Sequence, residues 1–193
     1  MMPITFKGCM LYLSVSAVII TLVAVTLDFS LFGGRTAVRR SQKSIVATGS
    51  MLGFSALYFI ALLLTKRSLD DNRWMFMGTL CIVSGACINV AGRLTLGKQW
   101  ANHIKIYDGH RLVDSGVFTW VRHPLYASIM LMLFGGSVLF QNLPSALLTL
   151  CIFIPFMYYR ARQEELLLRQ EVSGYTEYMA RTGMFLPRLP WMK

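Results

Sequence analysis

The stretch Arg122-His123-Pro124-Leu125-Tyr126 decides how the chain is read, because a polar segment ends there and a long uncharged run begins. Proline is favourable in the first turn of a helix, where its missing N–H would have no partner. Polar groups therefore lie at the mouth of an apolar helix, where a membrane enzyme would hold a water-soluble cofactor against a lipid-borne substrate. The alternative is that Arg122 and His123 only anchor that helix at the membrane interface, and the stretch alone does not decide between the two.

The composition indicates a membrane protein. Of the 193 residues, 55% are hydrophobic and only 15% are charged, whereas a soluble domain carries about 25% charged residues. The net charge of +10 would suit a nucleic-acid-binding protein, but the basic residues lie between apolar runs, so no nucleic-acid partner is expected. The four cysteines lie inside apolar runs without a C-x-x-C pair, so neither a metal site nor a disulfide framework is expected.

The apolar runs predict an all-α integral membrane protein with five transmembrane helices, each about 20 residues long. The uncharged run from Pro124 to Tyr159 would make a helix of roughly 54 Å, which is too long for one span. A turn is therefore expected at Gln141-Asn142-Leu143-Pro144. A chain of this size is expected to form one membrane-embedded domain over residues 1–193. The predicted spans cover residues 8–28, 44–65, 74–94, 124–140 and 144–160.

Two glycine patterns predict close helix packing. Gly78, Gly85 and Gly92 recur every seven residues and lie along one face of the third predicted span. Gly49-x-x-x-Gly53 in the second span would let two helix backbones approach closely. Because that second pattern could serve packing within one chain or between chains, the oligomeric state stays open.

The basic residues predict the orientation. Most of the 19 Lys and Arg residues lie in the loop after the first span, in the polar interval from Arg93 to His123, and from Arg160 onward. Such loops face the cytoplasm in membrane proteins. The polar interval and the segment after Arg160 are therefore predicted on one cytoplasmic face, where they could form one site.

Three motifs resemble those of one family. Residues 112–126, L-V-D-S-G-V-F-T-W-V-R-H-P-L-Y, resemble its signature L-V-x-x-G-x-Y-x-x-x-R-H-P-x-Y. Residues 160–165, R-A-R-Q-E-E, resemble its R-x-x-x-E-E, and residues 174–178 with Pro187 and Pro190 are similar to its G-x-x-Y-x-x-Y…P tail. The family is the isoprenylcysteine carboxyl methyltransferases, with phospholipid methyltransferases as relatives, and the chain resembles its compact prokaryotic form.

The resemblance covers about residues 93–190, which would be the catalytic part. It implies S-adenosylmethionine (SAM) as methyl donor and methylation of the C-terminal carboxylate of a prenylated cysteine. The prenyl chain would enter from the lipid, and the site would face the cytoplasm from a prokaryotic cytoplasmic membrane, or from the endoplasmic reticulum of a eukaryote. By position, Arg160 is implied as the catalytic arginine that binds the substrate. The implied SAM contacts are His103, His110, Arg111, Leu112, Val113, Phe118, His123, Pro124, Leu125, Tyr126 and Glu164.

Three positions depart from the family pattern. His103 stands for a Gln, Phe118 for a Tyr and Ser128 for a Gly. The first two changes alter the side-chain groups that could contact the cofactor: His103 offers an imidazole instead of an amide, and Phe118 has no hydroxyl. The third exchanges one small residue for another, and we expect it to have little effect.

The predicted helix after Arg160 also has a purely local interpretation. Arg160 and Glu164 lie four residues apart and share a helix face, so they could form an intrahelical ion pair at headgroup depth. Glu165 and Arg169 are interpreted as a second such pair. The later tyrosines, Tyr175 and Tyr178, are interpreted as interfacial aromatics.

The chemistry of these residues favours a carboxyl acceptor. An α-carboxylate has a pKa of about 3.5 and is already an anion at neutral pH, so it needs orientation rather than a general base. A lipid amine must first lose a proton, which a base assists, and the three histidines leave N-methylation open as an alternative. A second alternative is a non-catalytic membrane scaffold. The chain has no G-x-G-x-x-G loop, which argues against a Rossmann-type methyltransferase.

Overall fold

The structure, a computed structural model, describes residues 5–32, 38–42, 45–64, 71–97, 104–107 and 112–188. These residues are mainly helical, with one pair of short strands. The helices are α1 (Phe6–Phe32), α2 (Ile45–Leu64), α3 (Asn72–Leu96), a 3₁₀ helix (Gly116–Thr119), α4 (Pro124–Leu139), α5 (Leu143–Leu148), a π-helical segment (Thr149–Phe153), α6 (Ile154–Glu171) and α7 (Tyr175–Arg181). The strands are β1 (Val38–Gln42) and β2 (Ile104–Tyr107).

Three helical stretches are long and apolar enough to cross a membrane, namely Phe6–Leu27, Asn72–Leu96 and Leu143–Glu171. Gly53–Leu64 and Pro124–Leu139 are shorter apolar helices. This confirms the predicted class, a helical protein with several membrane-length helices.

The turn between α4 and α5 lies where the sequence predicted it. The Asn142 side chain caps α5 by accepting a hydrogen bond from the Ser145 N–H at 2.9 Å, and Pro144 occupies the first turn. Beyond this turn, α5, the π-helical segment and α6 follow one another without a break. The predicted amphipathic helix is therefore a direct continuation of the last apolar run. Pro155 lies in the first turn of α6, and the local shift to π-helical hydrogen bonding precedes this residue, which has no N–H to donate.

The glycines of α3 confirm the predicted close packing, and their partner is α4. A Cβ atom on Gly78 would lie 2.4 Å from the Leu139 backbone nitrogen, and one on Gly85 would lie 2.8 Å from the Ser128 carbonyl oxygen. No such contact exists at Gly53, where a Cβ would meet no atom of the described residues within 4 Å. Gly53 therefore makes no close helix contact with the described residues of this chain. Packing through it between chains stays a prediction, and Gly49 is not among the described side chains.

The strand pair was not predicted. β1 follows α1 and β2 follows α3, and the two strands pair antiparallel, from Val38 opposite Tyr107 to Gln42 opposite Ile104. The pairing joins the segment between α1 and α2 to the polar interval between α3 and α4. These two segments therefore lie at the same end of the helices.

Hydrogen bonds fix the C-terminal half of α2 to α4 and to the turn between α4 and α5. The Tyr58 hydroxyl donates to the Leu133 carbonyl of α4 at 2.7 Å, and the Asn142 side-chain amide donates to the Ala61 carbonyl at 3.1 Å. The N-terminal part of α2 points to the opposite end, where the R-H-P motif lies.

Candidate active site

The tail after α7 holds the backbone of the R-H-P motif. The Arg122 N–H donates to the Gly183 carbonyl at 2.8 Å, and the His123 N–H donates to the Met184 carbonyl at 3.0 Å. Gly183 is required there, because a Cβ would lie 1.8 Å from the Leu186 carbonyl oxygen. The motif is thus fixed by a segment far away in the sequence before any side chain is considered.

Glu165 joins the two side chains of the motif. Its Oε1 atom accepts from Arg122 Nε at 2.7 Å and lies 3.2 Å from His123 Nε2. The Glu165 side chain is 2% exposed and the Arg122 side chain 9%. Because a carboxylate only accepts hydrogen bonds, Nε2 of His123 carries the proton in this contact. The interpretation of Glu165 as a local partner of Arg169 is therefore wrong.

Glu164 faces the same region from the next position on α6. Its Oε2 atom accepts from the Tyr126 hydroxyl at 2.9 Å and lies 3.8 Å from His123 Nδ1. The His123 and Tyr126 rings are parallel, with centroids 5.5 Å apart. The Glu164 side chain remains 30% exposed, so a ligand can reach it, whereas the Glu165 side chain is buried.

Arg160 does not form the local ion pair with Glu164 that the sequence allowed. Its half-buried guanidinium donates through Nη1 to the Met51 sulfur of α2 at 3.4 Å. Among the described residues, no carboxylate makes an ion pair with it. The Tyr126 hydroxyl is close enough to interact with its charge. Within the described part of the chain, Arg160 thus presents a guanidinium without a carboxylate partner, one helical turn from Glu164.

The 3₁₀ helix before the motif packs on α7. Phe118 is buried, and its carbonyl accepts a hydrogen bond from the Tyr178 hydroxyl at 2.6 Å. Leu112 packs against the buried side chains of Val172, Tyr175 and Tyr178. The interpretation of the two tyrosines as interfacial aromatics is therefore wrong. Burial raises the pKa of Tyr178 to about 12, so its hydroxyl stays a donor at neutral pH.

Of the other predicted cofactor residues, the structure describes Pro124, Leu125 and Val113. Pro124 and Leu125 lie with their side chains against Gly92 of α3, Pro124 buried and Leu125 half-buried. Val113 is half-buried beside the 3₁₀ helix. His103, His110 and Arg111 lie outside the described residues.

A polar chain between α3 and α4 was missed by the sequence reasoning. Arg93 Nε donates to Asn89 Oδ1 at 2.7 Å, and the Asn89 amide donates to the Ser128 hydroxyl at 2.7 Å. Ser128 in turn donates to the Leu125 carbonyl at 2.7 Å, in the first turn of α4. The change of Gly to Ser at position 128, which we expected to matter little, supplies the middle of this chain. The spacing of Asn89 and Arg93, four residues apart near the end of an apolar run, was the signal available in the sequence.

Comparison with known proteins gives one family. A sequence model of the isoprenylcysteine carboxyl methyltransferase family matches residues 77–170. The human protein-S-isoprenylcysteine O-methyltransferase is 31% identical over 136 residues, which are 65% of this chain and 45% of the human protein. The mouse protein of the same name is 30% identical over 173 residues, 82% of this chain and 60% of the mouse protein. Protein-S-isoprenylcysteine O-methyltransferase B of Arabidopsis thaliana is 28% identical over 137 residues, 69% of this chain and 70% of that protein.

Residues 77–170 of the chain thus match the isoprenylcysteine carboxyl methyltransferase family. The matched interval includes the R-H-P motif, Arg160 and both glutamates, which are the residues that the structure brings together. The matched regions cover less than two thirds of the human and mouse relatives. The predicted resemblance to this family is thereby confirmed.

Proposed function

We propose that the protein is a SAM-dependent methyltransferase that methylates the C-terminal carboxylate of a prenylated cysteine. The observation that carries the proposal is Arg160, a half-buried arginine without an ion-pair partner among the described residues, placed one turn from Glu164. The names of the human, mouse and plant relatives support the same reaction. Residues 93–190 would form the catalytic part of a single domain.

The residues of the site suit SAM, which carries an ammonium, a sulfonium, a carboxylate and a ribose. Glu164 would accept from the ammonium or from the ribose hydroxyls, because its side chain is partly exposed. The N–H groups of Leu125 and Tyr126 lie in the first turn of α4, where a helix has no carbonyl partner for them and favours an anion. The tail already occupies the N–H groups of Arg122 and His123. Contacts from His103, His110, Arg111, Leu112, Val113 and Phe118 stay predictions.

SAM supplies an electrophilic methyl group when bound. The chain's own task is then to hold the acceptor carboxylate and exclude water from it. Arg160 suits this task, because a guanidinium binds a carboxylate through two parallel hydrogen bonds. No proton has to be removed from a carboxylate at neutral pH, so the reaction does not require a base.

The helix directions support five crossings with the site on the cytoplasmic face. α1 and α3 run parallel, since Ser14 of α1 donates to Thr79 of α3 at 3.1 Å near their N-terminal ends and the strands that follow the two helices pair with each other. An intervening α2 must then run back. The strand pair brings the segments after α1 and α3 to the same end, where the basic residues concentrate.

A methyl-transfer assay with two acceptors tests the proposal. Purified protein and labelled SAM are expected to methylate N-acetyl-S-farnesylcysteine and not phosphatidylethanolamine. One observation favours the second acceptor: Glu165 orients His123 Nε2, which leaves Nδ1 available as a base toward an amine. Label in the phospholipid alone would therefore overturn carboxyl methylation in favour of lipid N-methylation. Label in neither acceptor, with no binding of S-adenosylhomocysteine, would indicate a scaffold.

Arg160→Ala is expected to raise the KM for N-acetyl-S-farnesylcysteine by about 30-fold or more, since a hydrogen bond to a charged group contributes about 2 kcal/mol. The KM for SAM should change by less than about threefold. Steady-state kinetics with each substrate varied in turn measures both values. An equal rise in the two KM values would contradict the assignment of Arg160 to the acceptor.

A further inference from the structure

The Met51 side chain of α2 contacts the guanidinium of Arg160, the group proposed to bind the carboxylate of the methyl acceptor. Its sulfur accepts a hydrogen bond from Arg160 Nη1 at 3.4 Å, and the two residues are 109 positions apart in the chain. A thioether is a weak acceptor, far weaker than a carboxylate. The contact therefore covers Arg160 without satisfying it.

Among the described side chains, the other contacts of the N-terminal half of α2 near Arg160 are apolar. Phe54, one turn beyond Met51, packs on Phe153 with ring centroids 4.5 Å apart, and Met157 belongs to the same apolar cluster. The hydrogen bonds that fix α2 to the rest of the bundle lie further along, at Tyr58 and Ala61. The described contacts that hold α2 near Arg160 are thus apolar, together with the weak hydrogen bond of Met51. Such contacts are the ones that an amphiphilic ligand replaces at least cost, because its chain offers new apolar contacts and its carboxylate a stronger partner.

We propose that Met51 controls access of the acceptor to Arg160. It shields the guanidinium from the lipid in the free protein, and it is displaced when the carboxylate of a prenylated acceptor binds. The inference rests on the proposed function, because it takes Arg160 to be the acceptor's partner. It adds a specificity-determining residue from α2, a helix that lies outside the matched interval 77–170.

The test uses the full chain in lipid nanodiscs, with calorimetric titration of N-acetyl-S-farnesylcysteine in the presence of saturating S-adenosylhomocysteine. In Met51→Glu, a tethered carboxylate competes for Arg160 at an effective concentration of about millimolar or higher, so the acceptor Kd should rise about tenfold or more. In Met51→Leu, the volume is kept and the weak acceptor is lost, so the Kd should fall about two- to fivefold. The Kd for S-adenosylhomocysteine should stay within about twofold in both variants, which also shows that they fold.

A double-mutant cycle shows whether the effect acts through Arg160. Adding Met51→Glu to Arg160→Gln is expected to weaken acceptor binding no further than Arg160→Gln alone. An unchanged acceptor Kd in both single variants, or an additive effect in the double variant, would overturn the role of Met51. Wild-type protein that binds the acceptor but does not methylate it would overturn the proposed reaction and leave the role of Met51 supported.

Discussion

Glu165→Ala is expected to lower the free energy of unfolding by about 3 to 5 kcal/mol, the largest loss of any single side chain in the site. The substitution leaves the Arg122 guanidinium, 9% exposed, without its carboxylate, and it removes the partner of His123 Nε2. Thermal unfolding of the detergent-purified protein measures the effect, and a midpoint about 10 °C below that of the wild type is expected.

The neighbouring Glu164→Ala is the matched control. The Glu164 side chain is 30% exposed and accepts a hydrogen bond from Tyr126, so the unfolding midpoint should change by about 2 °C or less. Binding of S-adenosylhomocysteine should nevertheless be lost. Equal stability losses in the two variants would contradict the assignment of a structural role to Glu165 and a cofactor-binding role to Glu164. Full affinity in Glu164→Ala would refute the cofactor assignment.

Gly78→Ala is expected to destabilise the fold by about 1 to 3 kcal/mol through overpacking. The new methyl group would lie 2.6 Å from the Leu139 Cα and 2.7 Å from the Gly135 carbonyl oxygen, and backbone cannot move aside as a flexible side chain can. α3 and α4 would have to separate along the seam that leads to the first turn of α4, where the site begins.

Gly53→Ala is the matched control for Gly78→Ala. Its Cβ would meet no described atom within 4 Å, and alanine is favoured over glycine in a helix by up to about 1 kcal/mol. Its unfolding midpoint should therefore equal or exceed that of the wild type, while that of Gly78→Ala falls. The same thermal scan compares the two variants, and a fall of equal size in both would mean that glycine content, rather than helix contact, decides the stability.

Local signals in the sequence predicted the helices well. The proline of the R-H-P motif and the Asn142 cap mark helix starts that depend on residues within one turn, so they can be read without the fold. The heptad spacing of Gly78, Gly85 and Gly92 identified a packing face for the same reason, since the period of a helix is known in advance.

The missed features depend on partners distant in sequence. Glu165 has Arg169 four residues away, so a local pair was the simplest interpretation, but its partner Arg122 is 43 residues away. The strands are only five and four residues long and pair across two helices, and nothing in their own composition indicates a partner. The bonding of Met51 to Arg160 spans 109 residues and has no sequence signature.

The carbonyls that hold the R-H-P backbone come from the tail after α7, and this bears on how the protein is made. The Arg122 side chain and the Thr182 carbonyl that it also contacts are 60 residues apart, so translation must proceed through α5, α6 and α7 before the motif acquires its support. All the apolar helices have by then left the ribosome. Insertion into the bilayer and completion of the pocket are thus separate events in biosynthesis, and a nascent chain that stalls just after α6 would be anchored in the membrane with its motif still unsupported.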